Sequence, residues 1–240
     1  MKTSTKKTLL WLSLFAIAMG FLETSVVVYL RELYYPQGFN FPLVIIPNKI
    51  AVVEFWREFA TIIMLIGAGY MCGHNRLTRF AYFLIAFAIW DIFYYIFLYI
   101  LIQWPQSLFT WDILFLIPVP WTGPVIAPCL VASGLIVFGL YILYFTDRLS
   151  HTAINPTQWM LLILGVVVVI LSFVWDYLTV AANSGSFIWT IHSDSSLFEE
   201  LKSYVPNRFN WLIFSTGMVL SAVGTYGYIR SNLAIKPVKH

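Results

Sequence analysis

The sequence predicts an all-α fold, a polytopic bundle of about six transmembrane helices with a short broken helix and interfacial segments on the outer side. Of the 240 residues, 60% are apolar or aromatic and only 10% are charged, against roughly 25% charged in an average soluble domain. Apolar stretches long enough to cross a hydrocarbon core of about 30 Å, at about 1.5 Å per residue, recur along the whole chain. Strand-like alternation every second residue is missing from these stretches, which disfavours a barrel.

The chain reads as one transmembrane domain over residues 1–240, with spans at 8–30, 50–72, 79–103, 124–145, 158–181 and 209–230. The first follows Lys2, Lys6 and Lys7 and carries a small-residue stripe of Ser13, Ala16 and Gly20, suited to close helix packing. A cleaved signal peptide is the rival reading of this start, because Ala16-Ile17-Ala18 resembles a cleavage site. Against it, the apolar run continues to Leu30, far enough to span by itself. The connection 32–49 is more apolar than a solvated loop and is punctuated by Pro36, Pro42 and Pro47, so it belongs in the interface or dips into the protein. The second span opens with Glu54, Arg57 and Glu58, and the third holds Asp91 near its centre. In 104–123, Asp112 stands at a helix start before 113–117, and Pro118, Pro120, Gly123 and Pro124 then turn the chain into the fourth span. The fifth span carries Asp176 near its outer end. In 182–207, Ser196-Leu197-Phe198-Glu199 has the capping-box pattern of a short amphipathic helix running to about Val205, which would rest on the membrane surface. The sixth span has a stripe of Gly217, Ser221 and Gly224. Trp104, Trp111, Trp121 and Trp159 fall near span ends, as interface belts require.

Orientation follows from the basic residues, whose excess stays cytoplasmic. With the N-terminus inside, Lys2, Lys6, Lys7, Arg76, Arg79, Arg148, Arg230, Lys236 and Lys239 are cytoplasmic, against Arg31, Lys49, Arg57, Lys202 and Arg208 outside. Nine against five places both termini in the cytoplasm. The bases are too scattered for nucleic-acid binding. Cys72 and Cys129 lie at different depths and form no CxxC or Cys/His cluster, which disfavours zinc and iron–sulfur sites. No span buries a His, which disfavours bis-histidine haem.

The informative residues are the ionisable ones within spans, because each charge at mid-membrane costs about 2.5 to 3.5 kcal/mol. Glu23 sits about 10 Å below the outer end of the first span. Glu54, Glu58 and Thr61 share one face of the second by their i, i+4, i+7 spacing, and Ser172, Asp176, Thr179 and Asn183 do so on the fifth. Asp91 shares its face with Tyr94 and Tyr95, whose hydroxyls are suited to hydrogen-bond a carboxylate. Such stripes should face the bundle interior. If they converge, Glu23, Glu54, Glu58, Asp91 and Asp176 meet one intramembrane base, Arg57, an excess of four negative charges when all are ionised. Near-surface Arg31, Lys202 and Arg208 offset part of this; protons, a metal or a cationic ligand must supply the rest.

Glu54-x-x-Arg57-Glu58, Trp90-Asp91-x-Phe93-Tyr94-Tyr95 and Phe115-Leu116-Ile117-Pro118-Val119-Pro120-Trp121-x-Gly123-Pro124 together resemble a family of uncharacterised bacterial integral membrane proteins. The resemblance covers roughly the middle third, 54–128, and implies a bacterial inner-membrane location without assigning any residue a role.

The residues favour a protein in contact with membrane lipid that binds a cation or small polar molecule in an outward-facing acidic pocket, as a transporter would. The expected ligand-binding set is Glu23, Glu54, Arg57, Glu58, Asp91, Tyr94, Tyr95, Asp112 and Asp176. Oxygen ligands suit Ca²⁺, Mg²⁺ or Na⁺, and Trp90, Tyr94 and Tyr95 suit an organic ammonium by cation–π contact. One alternative is an intramembrane enzyme acting on a lipid or lipid-linked substrate, with Glu58 and Asp91 as acid and base and Arg57 holding a phosphate or carboxylate. His192 beside Asp194 is a weak metal or proton-relay candidate on the outer side. A further alternative is a structural subunit whose buried charges pair across an interface.

Overall fold

A computed structural model describes residues 1–44, 46–115, 119–183 and 204–235, with only the helical backbone described for 181–183. The helix expected from Ser196, and His192 with Asp194, lie outside the described residues, as do Leu116 to Pro118.

Six helices and one small hairpin make up the described chain: α1 (Thr3–Tyr34), α2 (Asn48–Cys72), α3 (Arg76–Ile102), β1 (Trp111–Phe115), β2 (Trp121–Pro124), α4 (Ile126–Arg148), α5 (Pro156–Asn183) and α6 (Trp211–Leu233). All but α2 are long and apolar enough to cross a membrane. The helix α2 has the length, but Glu54, Arg57 and Glu58 in its first turns make it less apolar. Large apolar side chains face outward along the helices, with Trp11 70% and Leu212 79% exposed. Such continuous apolar surface is what lipid, not water, solvates. The chain is a helical membrane protein.

Helix ends follow local chemistry. At α3 the Asn75 side chain accepts from the Thr78 N–H at 2.8 Å, while the Thr78 hydroxyl oxygen accepts from the Asn75 N–H at 3.1 Å. The start of α5 repeats this reciprocal cap between Asn155 and Gln158, around a proline at its first helical position. The α3 helix stops at Gln103, which adopts a left-handed φ of 53° before the Trp104-Pro105 step.

The central helix is α3, which packs against α1, α2 and α4, while α5 and α6 form a close pair. The main core joins Leu12, Ala16 and Met19 of α1 to Leu65 of α2, Ile85 of α3, Ile142 of α4 and Tyr228 of α6. The small-residue stripes serve packing. A Cβ on Gly20 would lie 3.1 Å from the Trp90 carbonyl of α3, and one on Gly217 would lie 2.7 Å from the Val169 nitrogen of α5. At the end of the bundle where α1 begins, the Lys2 N–H and Thr5 hydroxyl both donate to Asp147 near the end of α4.

One local expectation is corrected. Residues 111–115 form a strand, not a short broken helix, and pair antiparallel with 121–124 in the register Asp112↔Gly123 and Ile113↔Thr122. A five-residue apolar run is equally consistent with either structure by periodicity, and Pro118 and Pro120 lack the N–H groups that a continuing helix needs. The hairpin is wedged into the bundle: Trp121 stacks on Phe173 of α5 with an interplanar angle of 9°, and a Cβ on Gly123 would come within 3.0 Å of the same ring.

Gly217→Leu should force α5 and α6 apart and lower the thermal unfolding midpoint in detergent, at an overpacking cost of about 1 to 3 kcal/mol. Gly134→Ala, whose added methyl meets nothing within 4 Å, should leave the midpoint unchanged or raise it slightly, since alanine is the better helix former.

Candidate functional site

Three helical faces converge at the end of the bundle opposite Lys2 and Asp147. On α1, Glu23, Val27, Leu30, Arg31 and Tyr34 fall on one stripe. On α2, Glu54, Arg57 and Glu58 occupy the entering turns, and on α3, Trp90, Asp91, Tyr94 and Tyr95 complete the wall. Tyr35, Phe39, Leu43, Val44 and Ile46 of the first connection and Asp112 to Leu114 of β1 cover the gap. They line a half-open cavity of about 190 Å³.

Arg57 is the clamp across the α1–α2 side. Its Nε donates to Glu54 Oε2 at 2.7 Å and its Nη1 to Glu23 Oε1. The Thr61 hydroxyl, which donates to the Arg57 carbonyl at 3.0 Å, stands at the limit of reach from Glu23 Oε2, at 3.5 Å. Both carboxylates of this triad are therefore engaged by one guanidinium.

The second cluster is built differently. Arg31 meets Asp112 through a single Nη2–Oδ1 contact of 3.5 Å, with its guanidinium 3.8 Å from the Trp104 ring centroid and 4.6 Å from that of Phe39. Both residues are buried, at 8% and 2% exposure. Arg31 Nη1, Asp112 Oδ2 and Trp90 Nε1 nevertheless have no hydrogen-bond partner among the described residues. An arginine–carboxylate pair normally uses both prongs of the fork, and an unmade buried bond costs about 1 to 3 kcal/mol.

Asp91 lines the cavity half-buried, with no hydrogen bond from the Tyr94 or Tyr95 hydroxyl acting on it. The Tyr95 hydroxyl approaches Asp112 instead. The covering loop is held by the Val44 N–H, which donates to the Tyr35 hydroxyl at 2.9 Å; burial raises that hydroxyl above its ordinary value, so it stays neutral.

Of the nine residues expected from sequence, Glu23, Glu54, Arg57, Glu58, Asp91, Tyr94, Tyr95 and Asp112 share this cavity. Asp176 does not. It accepts from the Tyr204 hydroxyl at 2.8 Å and from the N–H groups of Asn207 and Arg208 at 3.2 and 3.3 Å. Tyr204 also hydrogen-bonds Thr122 of β2 at 2.8 Å, and burial pushes its hydroxyl far above the usual tyrosine range, so it remains a donor. The rest of the α5 stripe is satisfied locally, with Ser172 and Thr179 donating to backbone carbonyls; the Asn183 side chain lies outside the described residues. Spans one, two and three converge, and span five, whose Asp176 was expected to join them, does not.

Arg31 is the lining residue that sequence reasoning left at the surface. Its signal is positional, since it stands two turns beyond Glu23 on the same face. With it the lining holds Glu23, Glu54, Glu58, Asp91 and Asp112 against Arg31 and Arg57, an excess of three negative charges when all are ionised. Among the described residues no three His, Cys, Asp or Glu side chains are grouped closely enough to hold a metal ion. No protein-family model matches the chain, and neither curated proteins nor solved structures yield a match.

Arg57→Met should lower stability by about 3 kcal/mol, because it strands Glu23 and Glu54 in a poorly solvated place. The Arg57→Met, Glu23→Gln, Glu54→Gln triple variant should recover most of the loss in the same detergent unfolding assay.

Proposed function

We propose that the chain is a bacterial inner-membrane protein of six spans with both termini cytoplasmic, whose outward-facing acidic cavity binds a cation or small polar molecule, as a transporter does. The observation that carries this reading is the cavity itself: five carboxylates from α1, α2, α3 and β1 line one half-open volume together with two guanidiniums, those of Arg31 and Arg57. Such a charge excess inside a membrane protein is stabilised by a cation or by protons. The nine-to-five division of basic residues supports the orientation. The contact between the start of α1 and the end of α4, which four alternating crossings bring to one side, supports α2 as a crossing helix. Arg31, Glu54 and Asp91 then open toward the periplasm beneath the first connection.

The deepest of these carboxylates is Asp91. A cation drawn from Na⁺, Mg²⁺, Ca²⁺ and simple organic ammonium ions should raise the unfolding midpoint of the purified protein. Asp91→Asn and Asp91→Ala should both lose that rise, because Asn keeps the shape and hydrogen bonding but not the charge. Asp176→Asn should be less stable yet keep the response, since Asp176 serves Tyr204 and the backbone after it. A midpoint indifferent to every cation would contradict the reading.

A further inference from the structure

Most carboxylates of the lining are already engaged within the protein. Glu23 and Glu54 share the Arg57 guanidinium, Glu58 has a partner, and Asp112 meets Arg31 and is approached by the Tyr95 hydroxyl. Asp91 is half-buried and lines the cavity, and no ion pair or hydrogen bond among the described residues engages its carboxylate.

The wall around Asp91 is mainly apolar. Trp90 and Tyr94 stand beside it on α3, joined by Val27 and Leu30 of α1 and by Leu43 and Ile46 of the first connection. The cavity is half-open, and the side least closed by packing is the seam between α1 and α2, which both pack along α3 but touch each other little. Arg57 bridges that seam to Glu23. Beside the bridge the helix surfaces are apolar and exposed, with Leu22 next to Glu23 on α1 and Val53 one turn before Arg57 on α2. In a bilayer such surface meets acyl chains.

Each ligand class meets this arrangement differently. A divalent ion needs about six oxygens or more, and no three His, Cys, Asp or Glu side chains are grouped for it among the described residues. A sodium ion would exchange its hydration shell for one carboxylate among apolar walls, which leaves it under-solvated. An anion finds both lining bases taken: the Arg57 guanidinium serves two carboxylates, and that of Arg31 is held by Asp112 and the Trp104 and Phe39 rings. An alkylated ammonium is matched by the lining. Asp91 answers its charge, the Trp90 and Tyr94 rings suit its polarised methyl or methylene groups, and the apolar wall suits a longer chain. A cavity of about 190 Å³ holds roughly six water volumes at about 30 Å³ each, so it seats a headgroup, and a long chain must leave through the seam.

We propose that the cavity takes an amphiphilic organic cation, an ammonium headgroup on an alkyl chain, with the head at Asp91 and the chain running along the apolar wall to the seam between α1 and α2. This rests on the cation-binding reading above and narrows it.

The test uses the full-length protein in lipid nanodiscs, with Cys72 and Cys129 replaced by serine and Val27→Cys on the cavity wall reporting occupancy through its rate of reaction with a thiol reagent. The probes are tetramethylammonium, butyltrimethylammonium and octyltrimethylammonium, compared with octanol, octyl sulfate, sodium and calcium at matched ionic strength. Octyltrimethylammonium should slow labelling at concentrations about ten-fold or more below those tetramethylammonium needs, a gain that two buried methylenes supply, with the butyl ion in between. Octanol and octyl sulfate carry the same chain without the positive charge and should leave the rate unchanged. Asp91→Asn should react at the unprotected rate and lose the protection. The comparison of probes on the Asp91 protein stands even if that variant fails to fold. Equal protection by the three ammonium ions, protection by octanol or octyl sulfate at the same concentration, or protection that survives Asp91→Asn overturns the proposal. Protection by sodium or calcium without protection by octyltrimethylammonium overturns the ligand class but leaves the cation-binding reading standing. No protection by any cation removes both.

Discussion

The bridge from Arg57 to Glu23 and Glu54 is the contact on which this end of the molecule depends. The helices α1 and α2 both pack along α3 but touch each other little, so a gap opens between the end of α1 and the start of α2. The guanidinium crosses that gap. Without the guanidinium two buried carboxylates would stand uncompensated within the bundle, where a charge costs about 2.5 to 3.5 kcal/mol on insertion scales. A single arginine engages both and, in doing so, fixes the spacing of the two helices that wall the cavity.

The remaining walls come from non-helical chain, which a membrane protein tolerates only where protein or a wet cavity satisfies its backbone. The β1–β2 ladder satisfies the hairpin, extended by the Val125 and Ile126 N–H groups donating to Thr110 and Leu108. The first connection is fastened by aromatic contacts: Phe39 packs edge-on to Trp104, and Phe41 to Tyr204. Tyr204 in turn is anchored by Asp176 and Thr122. The carboxylate outside the cavity therefore has a purpose of its own, tying the chain before α6 to the end of α5 and to the hairpin that covers the site.

Much of this was legible in the sequence because the membrane penalises charge. An acid in an apolar stretch must face the interior, and the i, i+4, i+7 spacing of Glu54, Glu58 and Thr61 named the face correctly. Spacing does not say which helices meet. The stripe on α5 had the same form, but backbone N–H groups after the third connection satisfied Asp176 instead. Burial of Arg31 was hidden by its place near a span end, where an arginine ordinarily reaches water; Trp104 and Phe39, from distant parts of the chain, cover it. The run from Trp111 to Phe115 was too short for periodicity to separate strand from helix. Only its pairing with 121–124 decides it.

The central claim is that an acidic cavity between α1, α2 and α3 opens to the outer side of the membrane. The most direct measurement is thiol labelling of Val27→Cys, a cavity-wall position, in a chain whose native Cys72 and Cys129 are replaced by serine. In intact spheroplasts a membrane-impermeant reagent should label this cysteine, and a positively charged reagent should label it faster than a negatively charged one of similar size. Labelling only in inverted vesicles, or a preference for the negative reagent, would contradict the claim.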